Sequence, residues 1–183
     1  MNSKQILIDK EHKGCLWNAR RAWKKKTEKP FVMVLTDDVI LCDGFLEICD
    51  KIVNTHPDKV ISLFPVQFLR SDLCNPIKLK SPYISTNRVS GAGIIMPTEF
   101  IKPCLDYWDT SISTEDDANI KRWAEHNNIT ILTTIPSTIQ HSDCVSVFNP
   151  NRSIGSTDFY DQSPQDIDWS STFITPWTNI IRR

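Results

Sequence analysis

Two segments of the chain carry residue types that bind divalent cations. Asp37 and Asp38 follow an apolar run, and adjacent carboxylates repel each other unless a cation or hydrogen-bond donors neutralise them. Mg²⁺ and Mn²⁺ bind carboxylate oxygens and bridge substrate phosphates. Much later in the chain stands His141, and imidazole is a common ligand of Mn²⁺-class metals. A cation site is therefore one interpretation, and an ordinary Asp-Asp turn with a surface histidine is the other.

A second acidic cluster is the run Glu115-Asp116-Asp117. Acidic residues in the first turn of a helix complement the positive end of its dipole, which accounts for one or two of these side chains. Three in a row exceed that requirement. At least one of the three carboxylates is therefore not needed at the helix end and could face a pocket as a general base.

Composition bounds the class of protein. The chain has 183 residues, of which 40% are hydrophobic and 23% charged, and this is typical of a single globular domain rather than a disordered or coiled-coil chain. The net charge of −1 argues against a general nucleic-acid binder, although residues 20–29 hold six basic side chains. That cluster is either a solvated helix face or a local anion site.

Neither a membrane span nor a disulfide framework is expected. No apolar run approaches the roughly 18 residues that a membrane-spanning helix needs. The six cysteines include no C-x-x-C pair, and several lie in apolar stretches, so we expect mostly buried, reduced thiols. A cytoplasmic location follows from that expectation.

The order of the predicted elements indicates an α/β fold in which helices flank a largely parallel central sheet. In such sheets the ligand lies beyond the carboxyl ends of the strands, where the Asp37–Asp38 pair is expected. From Pro65 to Val89 the pattern is irregular. The expected strands are 5–9, 31–35, 39–41, 60–64, 90–96 and 129–135, and the expected helices are 14–26, 44–54, 98–108 and 115–127.

The order of these motifs resembles that of the GT-A class of nucleotide-sugar glycosyltransferases, in particular small bacterial and phage enzymes near the family-2 type. The resemblance spans roughly residues 5–155. It implies a single GT-A-like, Rossmann-like catalytic domain over 1–152, followed by a surface-wrapping tail over 153–183. Four segments carry it: residues 17–23 (WNARRAW), 34–39 (VLTDDV), 90–97 (SGAGIIMP), and 115–117 (EDD) with 136–141 (PSTIQH).

The resemblance implies a site for Mn²⁺ or Mg²⁺ and a nucleotide-diphosphate sugar. The family's D-x-D-type segment matches Thr36-Asp37-Asp38, with threonine in place of the first acid. Asp38 is then the metal ligand, and Thr36 and Asp37 contact the donor. The late histidine that completes the metal site in some members matches His141. Asp38 and His141 are thus expected to converge on one cation, although more than a hundred positions separate them.

Further roles follow from the same resemblance. Asn18 and Arg21 fall where the family contacts the nucleotide, and Ser90 and Gly91 where the backbone lies close to donor and acceptor. The acidic pair Asp116–Asp117 matches the position of the catalytic base in inverting enzymes. Only thirty residues precede Phe31, so the resemblance implies either a shortened form or a chain in which Lys4 to Asp9 substitutes for the missing wall of the nucleotide site.

Three functions remain open at this stage. The first is metal-assisted transfer of a sugar to an acceptor hydroxyl on a glycan or lipopolysaccharide precursor or, ranked lower, on a hydroxymethylated phage DNA base. The second is a GT-A-like binding module or subunit without catalysis. The third is a metal-dependent phosphohydrolase or nucleotidyltransferase, because paired aspartates with a late histidine also suit phosphoryl transfer.

Overall fold

The architecture is that of an α/β protein with one six-stranded sheet and one two-stranded sheet. The computed structural model describes residues 5–65, 81–111, 113–142 and 167–176. The elements in this part of the chain are α1 (Cys15–Trp23), β1 (Phe31–Leu35), β2 (Val39–Leu41), α2 (Phe45–Thr55), β3 (Val60–Ser62), β4 (Tyr83–Thr86), β5 (Gly93–Pro97), α3 (Thr98–Trp108), α4 (Asp116–His126), β6 (Ile131–Thr134), β7 (Ile139–His141) and β8 (Thr175–Pro176).

The main sheet is mixed, with the strand order β1-β5-β3-β6-β4-β8. At its centre β3 and β6 are parallel, and β4 and β8 are also parallel. The other three neighbouring pairs, β1–β5, β3–β5 and β4–β6, are antiparallel. The α/β class is therefore confirmed, whereas the expectation of a largely parallel sheet is corrected to a mixed one. The reason is that β5 runs antiparallel to β3 and β4 runs antiparallel to β6.

Hydrophobic clusters cover both faces of the main sheet. One cluster joins α2, Tyr83 and Trp169 to the sheet. The other joins α1, α3 and α4 to the opposite face. In α2 the buried residues follow the spacing of one helical face, which is why the sequence predicts this helix within one residue of its observed bounds. They are Phe45, Ile48, Cys49, Ile52 and Val53.

The predicted strand over residues 5–9 is not a strand. This segment has no regular secondary structure and is attached to α1 instead. Asn18 Nδ2 donates to the Leu7 carbonyl at 3.0 Å, and Arg21 donates to the Ile8 carbonyl at 3.1 Å. Ile6 and Ile8 are exposed, so the segment lacks the buried face that would make a strand stable.

Three of the described cysteines are buried free thiols, as the composition predicts: Cys42, Cys49 and Cys104. Burial raises the pKa of Cys42 to about 11 and that of Cys104 to about 12. Cys15 differs, because its thiol is exposed and free. Cys74 and Cys144 lie outside the described residues. No helix in this part of the chain is both long and apolar enough to span a bilayer.

The C-terminal segment 167–176 contributes to the core. Trp169 is only 1% exposed, and its carbonyl accepts a hydrogen bond from the Tyr83 hydroxyl. The Ser171 carbonyl lies 3.1 Å from His56 Nε2, and β8 adds a parallel strand beside β4. The expectation that the tail wraps the surface is therefore wrong for residues 167–176. The Trp169 side chain of this segment is buried in the core against one face of the sheet. The proposed boundary at 152/153 lies outside the described residues.

We predict that Trp169→Ala lowers the free energy of unfolding by about 3–5 kcal/mol, because the substitution leaves a cavity in a packed cluster. Phe173→Ala is the matched control in the same segment, since Phe173 is 55% exposed and its loss should change stability by less than about 0.5 kcal/mol. Urea unfolding of the full chain measures both values. Equal effects from the two variants would show that the segment does not stabilise the core.

Candidate functional site

The loop after β1 holds the first acidic pair at an edge of the main sheet. β1 is apolar along its whole length and ends where Thr36 begins a turn through Asp37 and Asp38. The Thr36 amide donates to the Ala92 carbonyl at 3.1 Å, and its hydroxyl donates to the same oxygen at 3.4 Å. Thr36 therefore fixes the start of the turn, while Asp37 is exposed at its tip.

Pairing of β2 with β7 brings the late histidine to this turn. The two strands are antiparallel, with Val39 opposite His141. The Ser142 amide donates to the Asp38 carbonyl at 2.7 Å, which continues the pairing by one step. As a result His141 Nδ1 lies 3.3 Å from Asp38 Oδ2. The structure thus places Asp38 and His141 side by side, and their convergence on a shared cation stays a prediction.

The two side chains are only partly shielded from solvent. The side chain of Asp38 is 41% exposed and that of His141 is 14% exposed. Within the described residues, Asp38 Oδ1 and His141 Nδ1 are buried atoms without a hydrogen-bond partner. The imidazole packs edge-on against the Phe64 ring, with ring centroids 5.2 Å apart. In this part of the chain Asp38 Oδ1 is thus a carboxylate oxygen without a hydrogen-bond partner, while His141 Nδ1 faces Asp38 Oδ2 beside an apolar wall.

A buried polar hub fixes the segment that leads into β7. The Leu63 carbonyl accepts hydrogen bonds from Thr138 N at 3.2 Å, Thr134 Oγ1 at 3.1 Å and Ser137 Oγ at 3.1 Å. Because these hydroxyls lie at or near the end of β6, they hold residues 134–138 against the strand exit of β3. The polar run Thr-Thr-Ile-Pro-Ser-Thr is therefore structural, and it places His141.

The turn Ser90–Ala92 joins the two acidic clusters. The Ser90 amide donates to Ser62 Oγ at 3.2 Å, which ties the turn to β3. The Gly91 amide donates to the Asp117 carboxylate. A Cβ atom at position 91 would lie 3.1 Å from Asp116 Oδ1, so the close approach favours glycine there. Ser90 and Gly91 thus lie directly beside the acidic start of α4.

Asp116 and Asp117 occupy a desolvated position at the N-terminus of α4. Burial raises the pKa of Asp116, and the neighbouring Asp117 charge raises it further. Burial also raises the pKa of Asp117, although hydrogen bonds from the Ala118 and Gly91 amides act in the opposite direction. The Ala118 amide lies 2.7 Å from Asp117 Oδ1. Asp117 is therefore the more tightly held carboxylate, and Asp116 is the more available proton acceptor.

The charges of all four aspartates act on Cys15, the first residue of α1. Partial burial raises the pKa of the Cys15 thiol, and the charges of Asp116, Asp117, Asp37 and Asp38 raise it further, in that order. The Ser90–Ala92 turn also contacts both acidic clusters, since the Ala92 carbonyl accepts the Thr36 amide and Gly91 lies against Asp116. The sequence contains no signal that links Cys15 to the acidic clusters. The clusters belong to distant parts of the chain, namely the turn between β1 and β2 and the start of α4.

Asn18 and Arg21 lie further along α1. Asn18 is three residues, or nearly one helical turn, beyond Cys15, and its amide nitrogen binds the Leu7 carbonyl. The Arg21 guanidinium lies 4.8 Å from the centre of the Trp17 ring. Arg21 also lines a cavity of about 390 Å³ together with Ile6, Ile8, Lys10 and Glu11. In the described structure Asn18 and Arg21 bind the backbone carbonyls of Leu7 and Ile8. A role of residues 4–9 as a wall of a nucleotide site stays a prediction, and Lys4 lies outside the described residues.

Asp38 and His141 are the side chains that could hold a divalent cation. In the part of the chain that the structure describes, no group of three or more His, Cys, Asp or Glu residues is arranged to bind a metal. A cation here would need its remaining ligands from water or substrate. That donor set suits Mg²⁺ or Mn²⁺, which often bind through one or two protein ligands plus substrate phosphates. The free Asp38 Oδ1 and the close approach of His141 Nδ1 to Asp38 Oδ2 fit such a partial site.

Sequence reasoning missed two residues that shape the site besides Cys15. Ser62 is fully buried, accepts the Ser90 amide and donates to the Phe64 carbonyl at 3.1 Å. Phe64 in turn packs against His141. In the sequence, Ser62 and Phe64 lie at the end of an ordinary apolar strand. Their contacts with Ser90 and His141 become evident only from the pairing of β3 with β5 and from the turns around it.

Comparisons with models of protein families, with curated proteins and with solved structures gave no significant match. The resemblance to GT-A glycosyltransferases therefore stays a prediction from sequence motifs.

Proposed function

We infer that the chain is a glycosyltransferase that moves a sugar from a nucleotide-diphosphate donor to an acceptor hydroxyl with the help of Mn²⁺ or Mg²⁺. The observation that carries this proposal is the convergence of two acidic clusters and a histidine from three separate parts of the chain. The Ser90–Ala92 turn links the two clusters, because the Thr36 amide bonds to the Ala92 carbonyl and Gly91 lies against Asp116. In the proposed site Asp38 and His141 would form one side, and Asp116 and Asp117 the other. Such a division suits a reaction with a phosphate-bearing leaving group and a separate proton acceptor.

Asp38 and His141 would hold the cation, which would stabilise the negative charge of the departing diphosphate. The exposed Asp37 contacts the donor at the tip of the turn. The Ser90-Gly91 turn brings backbone close to both substrates, since Gly91 has no side chain to exclude them.

Asp116 is the proposed general base. Its carboxylate accepts the proton of the acceptor hydroxyl while the hydroxyl oxygen attacks the anomeric carbon and the bond to the nucleoside diphosphate breaks. A raised pKa makes this carboxylate a better proton acceptor than an ordinary aspartate. Direct attack of this kind inverts the anomeric configuration.

The proposal predicts that nucleotide sugars raise the melting temperature of the full chain only when Mn²⁺ is present. A thermal-shift panel of nucleotide sugars, each measured with Mn²⁺ and with EDTA, makes the test. A bound donor at 100 times its Kd stabilises the folded state by about 2.7 kcal/mol, or roughly 5–10 °C for a chain of this size. An absence of metal-dependent shifts across the panel would contradict the proposal.

A binding module without catalysis is the second candidate, because the described residues hold only two side chains of a metal site. It shares the metal-dependent binding but not the chemistry. Incubation with a labelled donor separates the two candidates: an enzyme transfers the sugar, or slowly releases it to water, whereas a binding module leaves the donor intact. Release of phosphate without free sugar would instead indicate a phosphohydrolase.

We favour a glycan precursor as the acceptor over DNA. Arg20 forms an ion pair with Asp109, which neutralises part of the basic cluster. Lys24, Lys25, Lys26 and Lys29 remain exposed at the end of α1. If DNA were the acceptor, its affinity would fall steeply with salt. Retention on immobilised DNA at about 50 and 200 mM salt tests this ranking.

A further inference from the structure

The strand that carries the acidic pair is an edge strand. β1 stands at one end of the sheet order, and in the part of the chain that the structure describes no strand lies on its outer side. Its five residues, Phe-Val-Met-Val-Leu, are all apolar and only half-buried. An exposed apolar edge without a charged residue is a template for pairing with another strand.

The register of β1 with β5 shows which backbone groups point outward. The Thr98 amide donates to the Pro30 carbonyl, and the Thr36 amide donates to the Ala92 carbonyl. Hydrogen-bonded and non-hydrogen-bonded pairs alternate along an antiparallel ladder, so Val32 and Val34 bond to β5. Pro97, which has no N–H group, lies opposite Phe31. This pair is a non-hydrogen-bonded one, so the missing N–H group costs no bond between the strands.

The backbone N–H and C=O groups of Phe31, Met33 and Leu35 therefore point away from β5. They are evenly spaced about Met33, the central residue of the strand. An antiparallel copy of the same strand, related by a two-fold axis at Met33, would place Met33 opposite its own copy and Phe31 opposite Leu35 of the partner subunit. Each of these pairs can exchange two hydrogen bonds.

Charges next to the strand favour the same register. Lys29 precedes Phe31 by two residues, and Asp37 follows Leu35 by two residues. Extended by two residues beyond each end of β1, the two-fold register brings Lys29 towards Asp37 of the partner subunit, which lies in the turn that follows its strand. Lys29 and Asp37 are both exposed, so each ion pair can form without breaking a described contact. Opposite charges directly across from each other stabilise a strand pair.

We propose that the outer edge of β1 is a homodimer interface, in which two copies of this chain pair antiparallel about Met33 and extend the main sheet. The occupant is a second copy because the strand is self-complementary both in its hydrogen-bonding groups and in its flanking charges. This inference does not depend on the proposed enzymatic function. It places the turn Asp37–Asp38 of each copy beside Lys29 of the partner subunit.

Sedimentation equilibrium of the full chain tests the interface, and we expect a reversible dimer. Lys29→Glu should raise the dimer Kd at least about tenfold, because it places two acidic side chains opposite each other at both ends. The double variant Lys29→Glu with Asp37→Lys should restore the original Kd, since it exchanges the two charges. Lys24→Glu is the matched control, because Lys24 is exposed in the same basic cluster but outside the register.

Met33→Pro provides a second, independent test. Proline at position 33 removes an outward N–H and leaves the bonds of Val32 and Val34 to β5 in place, so the variant should be a folded monomer by circular dichroism. A wild-type chain that stays monomeric up to about 100 μM would overturn the proposal. So would a dimer whose Kd is unchanged by Lys29→Glu, or one that the charge exchange fails to restore. These outcomes would indicate that another segment of the chain, or solvent, covers the edge.

Discussion

Asp38→Asn is expected to weaken metal-dependent nucleotide binding at least about 100-fold while the melting temperature without ligand stays close to that of the wild type. The substitution keeps the shape of the side chain but removes the charge of one of the two proposed metal ligands. The Asp38 carbonyl, which accepts the Ser142 amide, is unaffected, so the pairing of β2 with β7 should persist. Calorimetric titration of a nucleoside diphosphate in the presence of Mn²⁺ measures the affinity.

Asp50→Asn is the control for this substitution, because Asp50 is exposed on α2 and lies outside the site. It removes the same charge from the chain and should leave nucleotide affinity unchanged. If Asp38→Asn and Asp50→Asn bind equally well, the metal does not lie between Asp38 and His141. Binding that is equally strong in EDTA would contradict the role of the metal altogether.

Asp116→Asn is expected to lower the rate of sugar transfer at least about 100-fold and, at the same time, to stabilise the fold at neutral pH. Both effects have one cause. Burial and the Asp117 charge raise the pKa of Asp116, so the ionised carboxylate costs folding free energy. An amide of the same shape removes that cost together with the proton acceptor. Transfer assays and thermal unfolding of the same preparation measure the two effects.

The pH dependence of the Asp116 effect has a defined direction. The folded-state pKa lies above the ordinary value of 3.8, so the protonated carboxyl contributes stability that is fully present below about pH 3.8. This contribution is lost as the pH rises through the folded-state pKa. The stability gain of Asp116→Asn should therefore appear at neutral pH and shrink towards acidic pH. In the wild type the transfer rate should fall as the pH drops through that raised pKa.

Glu115→Gln serves as the control for the Asp116 experiment. Glu115 is exposed, directly precedes α4 and carries the same charge. Its replacement should change the transfer rate by less than about threefold. It should change the free energy of unfolding by less than about 0.5 kcal/mol. A variant Asp116→Asn that keeps full transfer activity would eliminate Asp116 as the base and leave Asp117 to be tested in the same way.

The two-stranded sheet β2–β7 determines whether the acidic turn and His141 form one site. Neither strand is distinctive in the sequence: β2 has three residues, and β7 follows a proline in a polar run. Their pairing depends on contacts between residues about a hundred positions apart, which no local pattern encodes. The effect of the four carboxylates on Cys15 likewise depends on the packing of α1 near β1 and α4.

Local patterns did determine most of the helices and the central strands. α3 has the predicted bounds Thr98–Trp108, and β1 has the predicted bounds Phe31–Leu35, because each has strong periodicity or an unbroken apolar run between clear end signals. The acidic pair at the end of β1 and the acidic start of α4 were therefore placed correctly on their elements.

Strand direction and strand order were decided by the tertiary structure. β4 lies in a segment that has no clear pattern in the sequence, and β8 comprises two residues of the predicted tail, yet both complete the sheet. A strand's own residues set its tendency to be extended, whereas its neighbours and direction depend on long-range hydrogen bonds and on which surfaces remain to be covered. For the same reason the sequence predicted both halves of the candidate site, and only the fold brought them together.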